Sequence, residues 1–314
     1  MQVPLWKRAF THSLWRRGTL RRTHILAALL FCVCAIHSPP ARSEENLILE
    51  AARQAEKQLD ARVGVAIYDT GSGASWQYRA NERFPMTSTF KVLACGALLA
   101  RADNGLEDLN RSVQIRPTDF VAYSPVTEGW SDQQVPLYKL CEATLLTSDN
   151  TAANKVLEAL GGPHEVTAFL RSIGDEVTRL DRWETQLNEA TPGDARDTTT
   201  PAAIATSLRK LVLGDVLSLS AKTTLTQWLV DNKVGGPLLR AGIPADWQIA
   251  DRTGAGGHGS RGIVAVVWPP DHAPMTIAVY ITQTRAAMEQ RNEAIASIGS
   301  ALAETLRLKR ETSR

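Results

Sequence analysis

The chain has 314 residues, 44% hydrophobic and 22% charged, with a formal net charge of +2. That composition excludes a disordered or low-complexity chain and supplies core enough for one large domain or two interleaved ones. Seven Lys and Arg and no acid fall within residues 1–43, so the remainder is net negative and the basic balance is no argument for nucleic-acid binding.

The first segment reads as an export signal. A basic stretch ending at Arg21-Arg22 precedes the apolar run from Ile25 to Ile36. That run is too short to span a bilayer and has the length of a signal's apolar core. Ala41-Arg42-Ser43 is a small-x-small cleavage site, which makes residues 1–43 the signal peptide and Glu44 the mature start. Arg21-Arg22 also admits a twin-arginine signal. No later segment is apolar for long enough to span, so a soluble periplasmic protein with no membrane contact after processing is expected, and it is read as a monomer. Cys32 and Cys34 leave with the signal; Cys95 and Cys141 remain, and an exported pair predicts a disulfide. It would close a loop of about 46 residues, worth at most about 4 kcal/mol in the chain-entropy model.

Ile48, Ala52, Ala55 and Leu59 mark one face of a helix over 46–59. Val63 to Tyr68 and Ala74 to Tyr78 read as strands joined by the turn Asp69-Thr70-Gly71-Ser72-Gly73. From Thr87 to Trp228, Ala- and Leu-rich helical runs dominate. Strand character returns at Gln248 to Asp251, Ile263 to Trp268 and Met275 to Thr282, before a closing helix marked by Ile295, Ile298, Leu302 and Leu306. A lone hairpin is marginal, so strands at both ends must share one sheet. The expected fold is α/β (α+β): an antiparallel sheet with terminal helices on it, residues 44–85 and 232–314, and an inserted all-helical lobe, residues 86–231. A cleft should lie between them.

Ser88-Thr89-Phe90-Lys91 puts a hydroxyl and an amine on one helix face. A desolvated lysine can take or relay the proton that a serine must lose to become a nucleophile. The pattern alone is weak, since Ser207-Leu208-Arg209-Lys210 repeats it. Ser148-Asp149-Asn150 lies between two helical runs, where such residues also serve as plain caps. Glu184 opens a polar stretch reaching Asp197, with Pro192 and Gly193 inside it, which reads as an Ω-type loop carrying an acid and an amide. Arg252-Thr253-Gly254 ends a strand. Gly254, Gly256 and Gly259 match a dinucleotide fingerprint, but the next element is a strand where that motif requires a helix. His164, His258 and His272 are scattered, without metal-ligand spacing, so neither a metal nor another cofactor is expected.

In that order the motifs resemble those of the class A serine β-lactamases, over essentially all of residues 44–310. Tyr123 to Glu128, Asp181 to Glu184 and Ala195 to Thr199 share the resemblance. Arg252 stands where the family usually has lysine, which is similar to the carbenicillin-hydrolysing (RTG) subgroup. Gly256 is not the serine that often accompanies extended cephalosporin activity, and Thr87 with Gly256 is not the cysteine pair of the family's carbapenemases.

The resemblance implies a β-lactamase/transpeptidase-like fold, a small-molecule β-lactam substrate and a set of roles. Ser88 would attack the lactam carbonyl, with the N–H groups of Ser88 and Ala255 as oxyanion hole. Lys91, or Glu184 through a water, would activate Ser88. Ser148 would relay a proton to the leaving nitrogen. Glu184 and Asn188 would orient the hydrolytic water. Asn150 would bond the substrate's side-chain amide, and Arg252, Thr253, Gly254 and Arg261 would hold its carboxylate, with Tyr123 at the mouth. Arg182 and Asp197 would pair to hold the loop shut. Two rivals share parts of this pattern: a D-alanyl-D-alanine peptidase, which lacks the Glu184–Asn188 loop, and a penicillin-sensing domain, which needs a membrane anchor.

Overall fold

The computed structural model describes residues 46–312, so the expected signal peptide lies outside the described residues. Helix α1 (Asn46–Leu59) leads into strands β1 (Arg62–Asp69), β2 (Ser75–Tyr78) and β3 (Phe84–Pro85). A 3₁₀ turn over Thr87–Thr89 feeds α2 (Phe90–Asp103). Then come β4 (Ser112–Gln114), β5 (Gln134–Pro136), α3 (Leu137–Thr147), α4 (Asn150–Leu160) and α5 (Pro163–Ser172). After the Ω-loop follow β6 (Thr198–Thr199), α6 (Pro201–Val212), α7 (Leu219–Val230) and α8 (Leu239–Gly242). Strands β7 (Gln248–Ala255), β8 (Arg261–Trp268) and β9 (Met275–Thr282) and helix α9 (Met288–Thr312) close the chain.

The main sheet has the antiparallel order β2-β1-β9-β8-β7, so the two ends of the chain do share it. Both faces are covered. Val63, Val65, Ile67, Ile263, Val267, Ile277 and Val279 join Ile48, Ile295, Ile298 and Leu302 of α1 and α9 in one core. Ala66, Val264, Val266, Ala278 and Tyr280 point the other way, into the core shared with α2 to α7. This two-sided burial is why β8 and β9 read as unbroken apolar runs rather than alternating ones. Helix α6 lies against β1, β8 and β9, and β7 is the sheet edge beside the Thr87–Thr89 turn.

Strand β7 runs to Ala255, three residues beyond Arg252. The glycine-rich segment is therefore the end of an edge strand leading into a turn and β8, and not the opening of a helix. Short strands β3 to β6 carry no sequence signal, since two or three residues show no period.

The expected disulfide stands instead as two free thiols. Cys95 on α2 and Cys141 on α3 are both buried. Burial, with Cys95 second, pushes the Cys141 thiol well up from its ordinary range. The thiolate that starts disulfide exchange is thus disfavoured once the helices have packed. Folded, unoxidised protein is expected to resist a charged alkylating reagent and to label at both sites in denaturant. Labelling of the native protein within minutes, seen by intact mass, would contradict this burial.

Candidate active site

Ser88 sits in the 3₁₀ turn rather than in α2 itself, and Lys91 is in the first turn of α2. The side chain of Lys91 is fully buried. Its Nζ lies 3.0 Å from Glu184 Oε1 and donates to Asn150 Oδ1 at 2.6 Å, Ser148 O at 2.9 Å and Ser148 Oγ at 3.3 Å. Among the described residues none of its hydrogen bonds goes to Ser88. Ser88 Oγ instead faces Glu184 Oε1 at 3.5 Å. Burial lowers the Lys91 pKa to about 8; Glu184 pulls it back up, and Arg252 pushes it further down. An amine so placed can act as a proton acceptor near neutral pH, which a solvated lysine cannot.

The Ser148 segment is held by its neighbour. Asp149 accepts from the Ala152 N–H at 2.8 Å as N-cap of α4, from the Val126 and Thr127 N–H groups at 2.9 Å each, and from Thr127 Oγ1. Sealed on all sides, it fixes Ser148 in the left-handed region, φ 68°, at the end of α3. Asn150 donates Nδ2 to Ala122 O at 2.7 Å and its backbone N–H to Tyr123 O at 3.0 Å. One Nδ2 proton remains for a ligand. Tyr123 itself is 58% exposed, with φ 66°.

Arg252 is fully buried, and its Nη2 donates to Ser148 Oγ at 2.6 Å. Nε and Nη1 are buried without a hydrogen-bond partner. Burial lowers its pKa to about 10 against the pull of Glu184 and Asp251. Thr253 is buried and makes no side-chain hydrogen bond among the described residues. Gly254 has a steric reason to be glycine: a Cβ there would lie 2.1 Å from Thr87 Oγ1 and 3.0 Å from the Ser88 nitrogen. Across the ladder from Ala255 stands Arg261, which donates Nη1 to Gly254 O at 3.2 Å and Nε to Asn292 Oδ1 at 2.8 Å. Burial, then Arg291, lowers its pKa to about 10.

Glu184 arrives on the Ω-loop with Asn188 Nδ2 on its Oε2. Asn188 Oδ1 is buried without a partner in the protein, so its acceptor is open. The loop's neck is tied through Arg182 and Asp197. Arg182 Nε reaches Asp197 Oδ2 at 2.6 Å, and Asp197 Oδ1 accepts from the N–H groups of Asp181 and Arg182 at 2.7 and 2.9 Å. Asp197 is 1% exposed, so Asp197→Asn leaves a buried donor facing donors, a loss of about 1–3 kcal/mol. A lower Tm and an altered substrate profile are expected; an unchanged Tm with an unchanged substrate profile would refute the tie.

The sequence reading missed Asn154. Its side chain accepts from the Glu184 N–H and donates to Glu184 O, both at 2.9 Å, clamping the backbone of the acid. Its place four residues after Asn150 on α4 was the available signal. Also missed was buried Asp251, behind Arg252, bonded by Asn232 at 2.5 Å and by Arg240 at 3.0 Å. Among the described residues no cluster of three or more His, Cys, Asp or Glu could hold a metal.

A model of the β-lactamase enzyme family matches residues 47–306. β-Lactamase AER-1 of Aeromonas hydrophila is 50% identical over 284 residues, 90% of this chain and 93% of that one. Among solved structures, an ancestral class A β-lactamase is 53% identical with a TM-score of 0.81, covering 82% of this chain and 99% of its own. The chromosome-encoded β-lactamase of Vibrio parahaemolyticus is 45% identical with a TM-score of 0.81, covering 82% and 98%. The chain belongs to the β-lactamase enzyme family. Within it, the chain is a class A serine β-lactamase, a hydrolase of β-lactams and so an agent of antibiotic resistance.

Proposed function

We propose that the enzyme hydrolyses penicillins, carbenicillin included, through an acyl-enzyme on Ser88. The observation that carries this is the convergence on Glu184: Oε1 lies 3.0 Å from Lys91 Nζ and 3.5 Å from Ser88 Oγ, while Asn188 holds Oε2. Ser88 Oγ attacks the lactam carbonyl as its proton passes to Lys91 or, through a water, to Glu184. The N–H groups of Ser88 and Ala255 stabilise the oxyanion, a contribution of about 3–4 kcal/mol per donor in other enzymes. The C–N bond breaks and the nitrogen takes a proton relayed by Ser148, which both Lys91 and Arg252 contact. A water held between Glu184 and the open Asn188 acceptor then loses its proton to Glu184 and attacks the ester carbonyl; the C–O bond to Ser88 breaks, and Ser88 Oγ takes that proton back from Glu184.

Arg252, with its two unpartnered nitrogens, and Arg261 receive the substrate carboxylate beside Thr253 and Gly254. Asn150 takes the side-chain amide, and Tyr123 flanks the entrance. We place the lobes at 44–85 with 232–314 and at 86–231, and the working enzyme as a monomer exported to the periplasm with residues 1–43 removed. Rapid quenching of wild type with benzylpenicillin is expected to show a transient adduct of one intact penicillin on the Ser88 peptide. Carbenicillin and benzylpenicillin should have kcat/KM values within the same order of magnitude. An adduct on another peptide would overturn the mechanism, and a carbenicillin value far below the other would overturn the substrate assignment.

A further inference from the structure

Tyr280 on β9 has glycines as its direct cross-strand partners on both sides, Gly64 on β1 and Gly262 on β8. A Cβ at Gly262 would lie 2.6 Å from the Tyr280 ring, and one at Gly64 2.5 Å from the Phe84 ring. The glycines clear the sheet face for these two aromatics, which stack with centroids 6.1 Å apart. Tyr280 is 1% exposed, and among the described residues its hydroxyl has a single partner, Thr89 Oγ1 at 2.7 Å.

The direction of that bond follows from its neighbours. Thr89 has one hydroxyl proton, and its other contact, the Met86 carbonyl at 2.7 Å, can only accept. Thr89 therefore donates to Met86, and Tyr280 donates to Thr89. The same carbonyl also accepts from Thr87 Oγ1 at 2.7 Å and from the Thr89 N–H at 3.1 Å, while the Met86 N–H donates to Asp197 O at 2.9 Å. Ser88 stands between these two threonines. A phenylalanine would fill the same space without the cost of burying a hydroxyl. The hydroxyl's sole described use is to hold the turn.

We propose that Tyr280 is a positioning residue for the nucleophile: acting through Thr89 and the Met86 carbonyl, its hydroxyl sets the pitch of the turn that aims Ser88. The attacking oxygen and one oxyanion donor both belong to Ser88, so a slack turn misplaces both at once. Glu184 and Asn188 have supports of their own, the Asn154 clamp and the bond from the Gly257 N–H to Asn188 O at 2.8 Å. Deacylation should therefore suffer less than acylation.

The inference rests on Ser88 as the acylated residue, and rapid-quench mass spectrometry with benzylpenicillin tests the two separately. In Tyr280→Phe, acylation should slow about five- to tenfold, the scale of one lost buried hydrogen bond, with deacylation changed less than twofold. Thr89→Ser should acylate near the wild-type rate, Thr89→Val should be slow, and Tyr280→Phe added to Thr89→Val should cost nothing more. Acylation of Tyr280→Phe within twofold of wild type overturns the proposal, whatever its Tm. So does an additive double variant. Should Tyr280→Phe not fold, equal acylation rates for Thr89→Ser and Thr89→Val overturn it. A wild type never acylated on Ser88 sinks the proposed mechanism instead.

Discussion

Glu184→Ala is expected to react with benzylpenicillin and then stall. Minutes after mixing, mass spectrometry should find the protein heavier by one intact penicillin, with the adduct on the peptide containing Ser88. Acylation has two candidate bases: Glu184, whose Oε1 faces Ser88 at 3.5 Å, and Lys91, which is buried, has a pKa of about 8 and lies 3.0 Å from that same oxygen. Deacylation has one, because Glu184 is the carboxylate beside Asn188. General-base assistance is typically worth about 10²–10⁴-fold, so the ester should outlast the wild-type one by that factor. The loss has a second part for Lys91: without its counter-charge, burial and Arg252 push its pKa further down. That shifts the amine toward its neutral form, the form competent as an acylation base. Turnover at the wild-type rate would remove Glu184 from the mechanism and the Ω-loop assignment with it.

Arg252→Ala should cost about 2–5 kcal/mol in transition-state binding, the range for removing one partner of a desolvated charge pair. As kcat/KM for penicillins that is a fall of roughly 30- to 5,000-fold. Two of its nitrogens are buried without partners, so the guanidinium has donors to spare for an incoming carboxylate. The third bonds Ser148, so its loss also loosens the proposed proton relay. Arg252→Met keeps most of the volume and separates lost charge from a cavity; it should be nearly as impaired as the alanine variant. A kcat/KM within twofold of wild type in either variant would show that the arginine holds nothing that matters to the reaction.

Much of this was legible from residue order. The ends of α1 match the apolar spacing at Ile48, Ala52, Ala55 and Leu59, and the Ser148–Asn150 break between helices follows from cap chemistry at Asp149. Other parts could not be read because they depend on distant partners. Gly254 looks like the end of a strand, yet β7 runs through it, and the glycine answers to Thr87, far off in the chain. Asn154 shares a helix face with Asn150, but its role shows only once Glu184 is brought against it. Tyr280 reads as one more apolar strand position, because nothing local reveals that its hydroxyl meets Thr89. Cys95 and Cys141 are free and buried, and neither property is reported by their spacing.

Lys91, Arg252 and Arg261 are all buried, and burial draws each below its ordinary pKa, while Glu184 is the carboxylate ion-paired to Lys91 at 3.0 Å. Keeping these groups charged therefore carries a desolvation cost that the rest of the fold must outweigh. An anionic substrate relieves it, so the native state gains stability from occupancy. Selection for a sturdier protein alone would remove these cations, and only selection for turnover keeps them. These buried cations are in this sense a standing cost within an otherwise well-packed scaffold, one that turnover of the drug explains and stability does not.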